Sequence, residues 1–488
     1  MSNTGPRANG TLDFGASSPR IVIIGAGAGG LITALSLKKR LEYSNFTIFE
    51  KGFGLGGTWR ENTYPGCACD TDSHWYSISS DPNPSWSQTY PEQAEILAYL
   101  TSVADKHRLQ DHCEYGCEFL SGKWDEQKKQ YTLTIQRRAL SSGPEDAEPT
   151  DPQSQKSFSA FTQWVFKNVP GILWLFRLSI FLTTDITYLF FITSPVTNII
   201  RRVFEARCRR YIRQQAPKQL HDDLMPNYPL GCKRIVRDSG YLNSLNRPNV
   251  EVIWDPITEI AADGVVTKPN QPSNSGVDSD TRTTHTLDVL ILATGFDTRV
   301  SYALPLEGRQ GTTIKSLFSD SGGPIAYRGT TIPFFPNMFM LSGPNTINGH
   351  VSTIYMEEVQ VNYILNLITP ILEPWLQHKR WFRPRGPKTQ LRTLTVEPTT
   401  RQRSNITRSC KGIWRKRHGQ VVALVGIEMV WGGIRVSYCS PRFYTSRRST
   451  FEYHSAVFPG YAVQWWASLR NVVWRDFSVV REGDTAKD

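Results

Sequence analysis

No Cys-x-x-Cys pair occurs in this chain of 488 residues, although it holds eight cysteines. Cys67 and Cys69 stand two apart, Cys113 and Cys117 four apart, and neither pair has histidine partners at zinc-site spacing. A structural zinc module is therefore excluded, no metal is expected, and reduced thiols are the expected state. The N-terminus lacks an apolar core, so no secretory signal is read and a cytoplasmic location is expected. An uninterrupted apolar span is also missing. Ile172–Thr193 is long enough to cross a bilayer, but Arg177 and Asp185 lie near its middle, where each is costly. A buried helix is the expectation, with membrane contact through 172–193 as the alternative. Acid is scarce in one stretch: residues 379–450 hold 17 Lys/Arg and 2 Asp/Glu, so the rest of a chain of net charge +11 is mildly acidic. That stretch carries no nucleic-acid-binding motif, and no nucleic-acid partner is expected.

Length allows two or three domains with their own cores. Ile21–Ile24 reads as a short buried strand. Leu31, Leu35, Leu37 and Leu41 mark a helix that ends in Lys38, Lys39 and Arg40, matching the negative end of its dipole. Phe46–Glu50 is a second strand, completing a βαβ opening. Pro91–His107 reads as a helix, and the alternation in Tyr131–Ile135 as a strand. A polar, Pro/Ser-rich linker follows over 138–157. Helical patterns run from Phe158 to about Gln215. Val250–Trp254 and Met338–Leu341 are strand candidates, and Met356–Ile371 is a helix. Leu287–Gly295 reads as a near-continuous apolar strand of a parallel sheet, ending in a small-residue turn.

Gly25, Gly27 and Gly30 form a G-x-G-x-x-G loop between the first strand and helix. The first glycine permits the tight turn, the second lets backbone approach a pyrophosphate, and the third lets helix and strand pack closely. The helix start then offers free N–H groups to phosphate. Glu50, 20 residues beyond Gly30 and at the end of the second strand, can accept from ribose hydroxyls. These features call for a dinucleotide without separating FAD from NAD. Ala293, Thr294 and Gly295, closing a strand that returns to the same sheet, favour FAD in a discontinuous domain. Gly343-Pro344-Asn345-Thr346 is a turn that could bring backbone near a flavin.

Two further motifs carry a resemblance: Gly56-Gly57-Thr58-Trp59, and Tyr64-Pro65-Gly66 with Cys69-Asp70. With Tyr76, Gly231–Arg234, Tyr241, Asn246–Val250, Ala293–Asp297, Gly343–Thr346, Phe458-Pro459-Gly460 and Trp465-Trp466 in order, the chain resembles class B flavoprotein monooxygenases of Baeyer–Villiger type, particularly fungal enzymes of polyketide and terpenoid secondary-metabolite biosynthesis. The resemblance implies an α/β fold with a Rossmann-like discontinuous FAD domain and a second, NADPH-type domain that is incomplete here. It implies FAD, NADPH as reductant, O2, and a small-molecule ketone converted to an ester or lactone through a peroxyflavin. Arg234 takes the part of the active-site arginine and Asp70 that of the carboxylate that orients it and meets nicotinamide. Gly57, Thr58, Trp59, Arg60, Glu61, Asp70, Thr71 and Tyr76 fall where the family contacts flavin.

A second glycine loop and the fingerprint Phe-x-Gly-x-x-x-His-x-x-x-Trp-Pro are absent. The expected organisation is therefore a loose N-terminus (1–19), a first FAD segment (20–137), the linker (138–157), a remnant of the NADPH-type helical domain (158–285), a second FAD segment (286–375), an atypical basic segment (376–454) and a family-like C-terminus (455–488). Two alternatives stay open: a flavin-binding protein inactive for want of an NADPH site, and an N- or S-hydroxylating flavin monooxygenase. The Tyr64–Asp70 motif and the Lys233-Arg234 pair argue against the latter.

Overall fold

The computed structural model describes residues 18–138, 157–187, 195–228, 230, 238, 240–268, 282–295, 304–344, 346, 351–376, 393–398, 469–470 and 477–481. In chain order, the elements are β1 (Ile21–Ile24), α1 (Ala28–Leu41), β2 (Phe46–Phe49), α2 (Thr58–Glu61), α3 (Gln93–Lys106), β3 (Cys113–Glu114), β4 (Cys117–Asp125) and β5 (Gln130–Arg137). Then come α4 (Ala160–Asn168), α5 (Ile172–Ile186), α6 (Pro195–Gln215), α7 (His221–Leu224), α8 (Tyr241–Ser244), β6 (Ile257–Ala261), β7 (Gly264–Thr267) and β8 (Thr283–Thr286). The last are β9 (Leu306–Glu307), α9 (Ile314–Asp320), α10 (Thr353–Leu372), β10 (Thr393–Pro398) and β11 (Phe477–Arg481). The described residues fall into two compact units: those within 1–202, 229–237 and 302–488 form one, and those within 203–228 and 238–301 the other.

The first unit is built on a parallel sheet of order β1-β2-β3, with Ile21 opposite Phe46 and Ile48 opposite Cys113. Helix α1 is the crossover. Its Leu31, Leu35, Leu37 and Leu41 are buried, and the same core takes Ile96, Leu100 and Val103 of α3 and Ile354, Val361, Ile364 and Leu365 of α10. The long alternating stretch becomes the hairpin β4-β5, whose Gly122 also pairs with Leu306 of β9. Buried Asp81 ties the C-terminal ends of α1 and α3 together. It accepts from Lys39 at 3.1 Å and Lys106 at 2.8 Å, and meets His107 at 2.7 Å. Burial would raise its carboxyl, but these partners and Ser80 outweigh that and hold it well below the usual carboxylate range.

The second unit holds the antiparallel sheet β6-β7-β8, with Val265 and Val266 buried. Here the apolar strand expected over Leu287–Gly295 does not form. The run leaves β8 after the Leu287 amide bonds the Asp263 carbonyl at 3.0 Å, and Val289, Ile291 and Leu292 are exposed. An apolar run shows that a segment favours cover; a strand also needs a neighbour to complete its ladder, and none of the described residues pairs with this one. Val250–Trp254 likewise forms no strand, and Met338–Leu341 contributes only an isolated bridge between Phe339 and Thr331. Within the basic segment, β10 pairs antiparallel with β11, an order not legible in the sequence.

The helix expected to be buried over 172–193 is α5, and its outer face is exposed at Trp174, Leu175, Leu182 and Ile186. Polar residues in the stretch explain this. Arg177 turns inward to donate to the Ser77 carbonyl at 3.1 Å and the Ser79 hydroxyl at 3.3 Å, and Asp185 is buried; with Phe176, Ile180 and Phe181 packed inward beside them, other apolar residues such as Leu175, Leu182 and Ile186 are left outside. Among the described residues no single helix is long and apolar enough to cross a membrane; α4 and α5 pass that test only as a pair bent by 106°.

His74 anchors this helical layer. Its ring lies 4.8, 4.9 and 5.2 Å from the rings of Phe158, Phe166 and Phe176, edge to face. Burial foremost, and the charge of Arg177 second, lower its pKa to about 4. The unfolded chain takes a proton on this residue near pH 6.5, the folded chain only near 4. Stability from the neutral imidazole is present above pH 6.5 and is lost as pH falls from there to about 4, by roughly 3 kcal/mol in all. Urea unfolding at pH 7 and pH 4.5 should show that loss, and His74→Phe should show a smaller one. An equal loss in both proteins rules His74 out as its source.

Candidate active site

The glycine loop connects β1 to α1 in the geometry a nucleotide cradle requires. Gly25 has φ +98° and donates its amide to the Phe49 carbonyl at 2.8 Å. A Cβ on Gly30 would stand 2.0 Å from the Gly25 carbonyl oxygen, so only glycine allows this helix-to-loop approach. Gly27 caps α1 without a side-chain hydrogen bond, and the first turn of the helix carries no acid of its own. The first amides of such a helix have no partner within the helix, which is what an anion site needs.

Glu50 behaves differently from the expectation of a simple ribose acceptor. The carboxylate is buried. Its Oε2 accepts from the Ala26 amide at 2.7 Å and its Oε1 from the Gly52 amide at 2.8 Å. It is therefore first a clamp on the glycine loop, and ribose hydroxyls would use the lone pairs left over.

The second glycine pair closes on the first. The Gly56 amide donates to the Ala26 carbonyl at 3.0 Å, and Gly57 turns with φ +55° into α2. A Cβ on Gly57 would lie 2.9 Å from the Cα of Gly27. Backbone meets backbone here, which explains why both motifs are glycine-rich. Arg60 folds back over Gly54, and Glu61 approaches Gly52, so both brace this loop; Thr58 is exposed. The Tyr64–Asp70 loop is pinned by an extended pairing in which the Cys69 amide bonds the Pro91 carbonyl and the Gln93 amide the Cys67 carbonyl, each at 2.9 Å. Cys67 and Cys69 are buried and not disulfide-bonded, in line with a structural role.

A cavity of about 460 Å³ opens beside these loops, lined by Trp59, Ala68, Cys69, Asp70, Thr71, Tyr76 and Thr353. Trp59 donates its indole N–H to the Tyr76 hydroxyl at 3.0 Å, and the two rings meet edge to face at 5.7 Å. Burial above all, with Cys69 and acidic neighbours, keeps the Tyr76 phenol well above its ordinary pKa, so it stays a neutral donor. Thr71 donates to Asp70 at 3.4 Å, and the Asp70 carboxylate is exposed. Thr353, which begins α10, carries no signal in the sequence pattern because the apolar period suggests a helix only from Met356; Ser352 followed by Thr353 at a helix start was the available cue. The Ser352 hydroxyl is enclosed and has no partner, leaving a polar atom at the cavity end of α10.

These residues fit a flavin dinucleotide: glycines of which Gly30 and Gly57 leave no room for a Cβ, an uncapped helix start for the diphosphate, a buried carboxylate at the end of β2, and a polar-edged cavity beyond. They bring together Gly25, Gly27, Gly30, Glu50, Gly57, Trp59, Arg60, Asp70, Thr71 and Tyr76 in one unit. Arg234 lies outside the described residues. Ala293, Thr294 and Gly295 are described within the other unit, where they end the exposed extended run and Gly295 has φ +88°. Among the described residues no cluster could hold a metal ion.

Gly57→Ala should force the two glycine loops apart. The expected result is FAD affinity lower by tenfold or more, from about 1–3 kcal/mol of overpacking, with the protein still folded. Flavin absorbance per mole of protein after desalting checks this, and full flavin retention would contradict the backbone contact as a requirement.

Residues 23–92 match the NAD(P)-binding Rossmann-like domain family. The FAD-binding monooxygenase ktnD of Aspergillus niger is 28% identical over 437 residues, covering 72% of this chain and 69% of its own length. A Baeyer–Villiger monooxygenase of Pseudomonas aeruginosa is 30% identical over 423 residues, covering 72% of this chain and 77% of its own. In fold, the chain is similar to a closed crystal structure of cyclohexanone monooxygenase, with a TM-score of 0.69 at 20% identity over 95% of this chain and 99% of the other. Identity of this extent over more than two thirds of a curated relative, on a Rossmann-like α/β fold, places the chain in the Baeyer–Villiger monooxygenase family of FAD-dependent flavoproteins.

Proposed function

We propose that this flavoprotein monooxygenase acts on a ketone of the kind met in fungal polyketide or terpenoid biosynthesis, inserting one atom of O2 beside the carbonyl to give an ester or lactone. The second oxygen atom leaves as water, with electrons from NADPH. FAD supplies the oxygen-activating chemistry when bound. The observation that carries the reading is the juxtaposition of a glycine-only nucleotide cradle with a cavity edged by an exposed carboxylate, Asp70, and the start of α10.

Within that reading, the residues divide the work. Gly25, Gly27, Gly30 and Gly57 admit the dinucleotide backbone, and Glu50 keeps their loop in place. Trp59 and Tyr76, hydrogen-bonded to each other, form a wall that keeps water from the reacting face. Thr58, Arg60, Glu61 and Thr71 frame the flavin; for Ala293, Thr294 and Gly295 a part in FAD binding is supported by the family motif alone. Asp70 orients the Arg234 guanidinium, and that fixed cation stabilises negative charge developing on oxygen during insertion. Relatives in this family with fungal sources support the metabolite class. The N- or S-hydroxylating alternative and the inactive flavin-binding alternative gain no support from the relatives named above.

Arg234→Ala should leave the protein yellow, with FAD at unchanged stoichiometry, while ester or lactone formation falls by about 100-fold or more. Mass spectrometry of a panel of cyclic ketones, with flavin absorbance measured on the same samples, checks both parts. Undiminished product from the Arg234 variant would overturn its role. Wild-type protein that holds FAD but forms no ester from any ketone, and whose flavin does not bleach with NADPH under anaerobic conditions, would overturn the reaction itself.

A further inference from the structure

The carboxyl group of Glu357 lies at the back of the glycine cradle, and the roles above leave it unused. Glu357 stands at the start of the second turn of α10. A Cβ on Gly29, in the first turn of α1, would come within 3.1 Å of its Oε1. The Ser342 hydroxyl donates to the same oxygen at a long 3.4 Å. Oε2 is enclosed and has no hydrogen-bond partner. Nearby, Gln360 holds the Ser342 amide at 2.9 Å, so the loop that carries this hydroxyl is fixed. An acid is thus packed against the helix start at which the diphosphate would bind.

Among the described residues no cation offsets it. The first turn of α1 is Ala28, Gly29, Gly30 and Leu31 and supplies no charge. The Ser342 segment presents only a hydroxyl. On its own helix the neighbour is Glu358, a like charge that is taken up by the Ser79 amide at 2.7 Å and the Ser79 hydroxyl at 2.6 Å and feels Arg177 and Arg40 on its far side. From the cavity loop the titratable neighbour is Tyr76, whose phenol stays neutral; Asp70 acts on that phenol from further out.

We propose that Glu357 is a protonation gate on FAD binding: as a carboxylic acid it tolerates the diphosphate at the start of α1, as a carboxylate it opposes it, and above neutral pH the cofactor is therefore taken up together with one proton. This rests on the placement of FAD given above and adds a control to that site. In the free protein, burial foremost pushes the Glu357 carboxyl up to about 7, against the Ser342 hydrogen bond and with a smaller push from Glu358. Below that pH the acid is already neutral and binding needs no proton. Above it, each pH unit requires the proton to be supplied, so affinity falls up to tenfold per unit, or up to about 50-fold from pH 7, where half the acid is already ionised, to pH 9. A second negative group arriving beside the acid raises its pKa further, which is the same coupling seen from the other side.

The test titrates FAD into the full-length, deflavinated chain between pH 6 and pH 9, for wild type and Glu357→Gln, following the quenching of flavin fluorescence. The expected result is a wild-type Kd that rises with pH above about 7, and a Glu357→Gln Kd that stays flat and is the lower of the two at pH 9. Calorimetry of the wild type at pH 8, in two buffers of different ionisation enthalpy, should show uptake of close to one proton per FAD; this readout does not depend on the variant folding. Parallel pH profiles for the two proteins, or FAD binding without proton uptake at pH 8, would overturn the gate while leaving the FAD site intact. Absence of FAD binding by both proteins at every pH would overturn the placement of FAD, and the gate with it.

Discussion

The site depends on one close approach of backbone to backbone, held by one carboxylate. Gly27 and Gly57 pack Cα against Cα, and the Gly56 amide bonds across to Ala26. Glu50 grips the other side of the same loop through the Ala26 amide and takes the Gly52 amide with its second oxygen. Charge-assisted hydrogen bonds of this kind are the stronger ones, and here they act on a segment with no side chains of its own to pack. The loop cannot be stiffened by bulk, since any Cβ at Gly30 or Gly57 collides, so it is stiffened by polar bonds to main-chain groups. That leaves the amides at the start of α1 free for a ligand.

The rest of the first unit supports this arrangement from behind. Helix α10 buries an apolar face against α1 and α3 and uses its polar residues to hold loops. Gln360 donates to the Gly329 carbonyl and the Thr330 hydroxyl, each at 3.1 Å, and accepts from the Ser342 amide. Glu358 receives both groups of Ser79. A buried polar side chain satisfied on several sides resists displacement, because each partner lost leaves an unpaired group in a poorly solvating interior. Glu357, one residue along, breaks that pattern, and the unsatisfied acid is the natural place to look for control of the site.

The helical layer of α4 and α5 is joined to the cavity loops by a different device. His74, which follows Asp70 and Thr71 closely in sequence, makes a ring cluster with Phe158, Phe166 and Phe176 of the helical layer, and Arg177 reaches Ser77 and Ser79 from α5. The segment from Asp70 to Asp81 is therefore held at both ends, by aromatic packing at one and by the lysines of α1 and α3 at the other.

Much of this was legible in the chain itself. Local rules suffice for β1, α1, β2 and the glycine loop, because turn geometry, helix capping and phosphate approach are decided within about 30 contiguous residues. The motifs of Gly56–Trp59 and Tyr64–Asp70 pointed to the flavin cradle in the same way. Other features depended on distant partners. Leu287–Gly295 has the composition of a central strand, yet pairing is a property of two segments, and no described neighbour completes its ladder. Helix α5 has the composition of a buried element, yet Arg177 and Asp185 turn its polar side inward and leave Trp174 and Leu175 outside. Glu50 was legible as a candidate ribose acceptor, but its grip on Ala26 and Gly52 required the fold. Thr353, Ser352 and Glu357 reach the site from a helix some 300 residues away in sequence. The sequence by itself determined the nucleotide cradle, because glycine conformation and sterics are local; only the tertiary structure decided which distant acid and which helix start stand beside it, because packing of α10 on α1 brings them there.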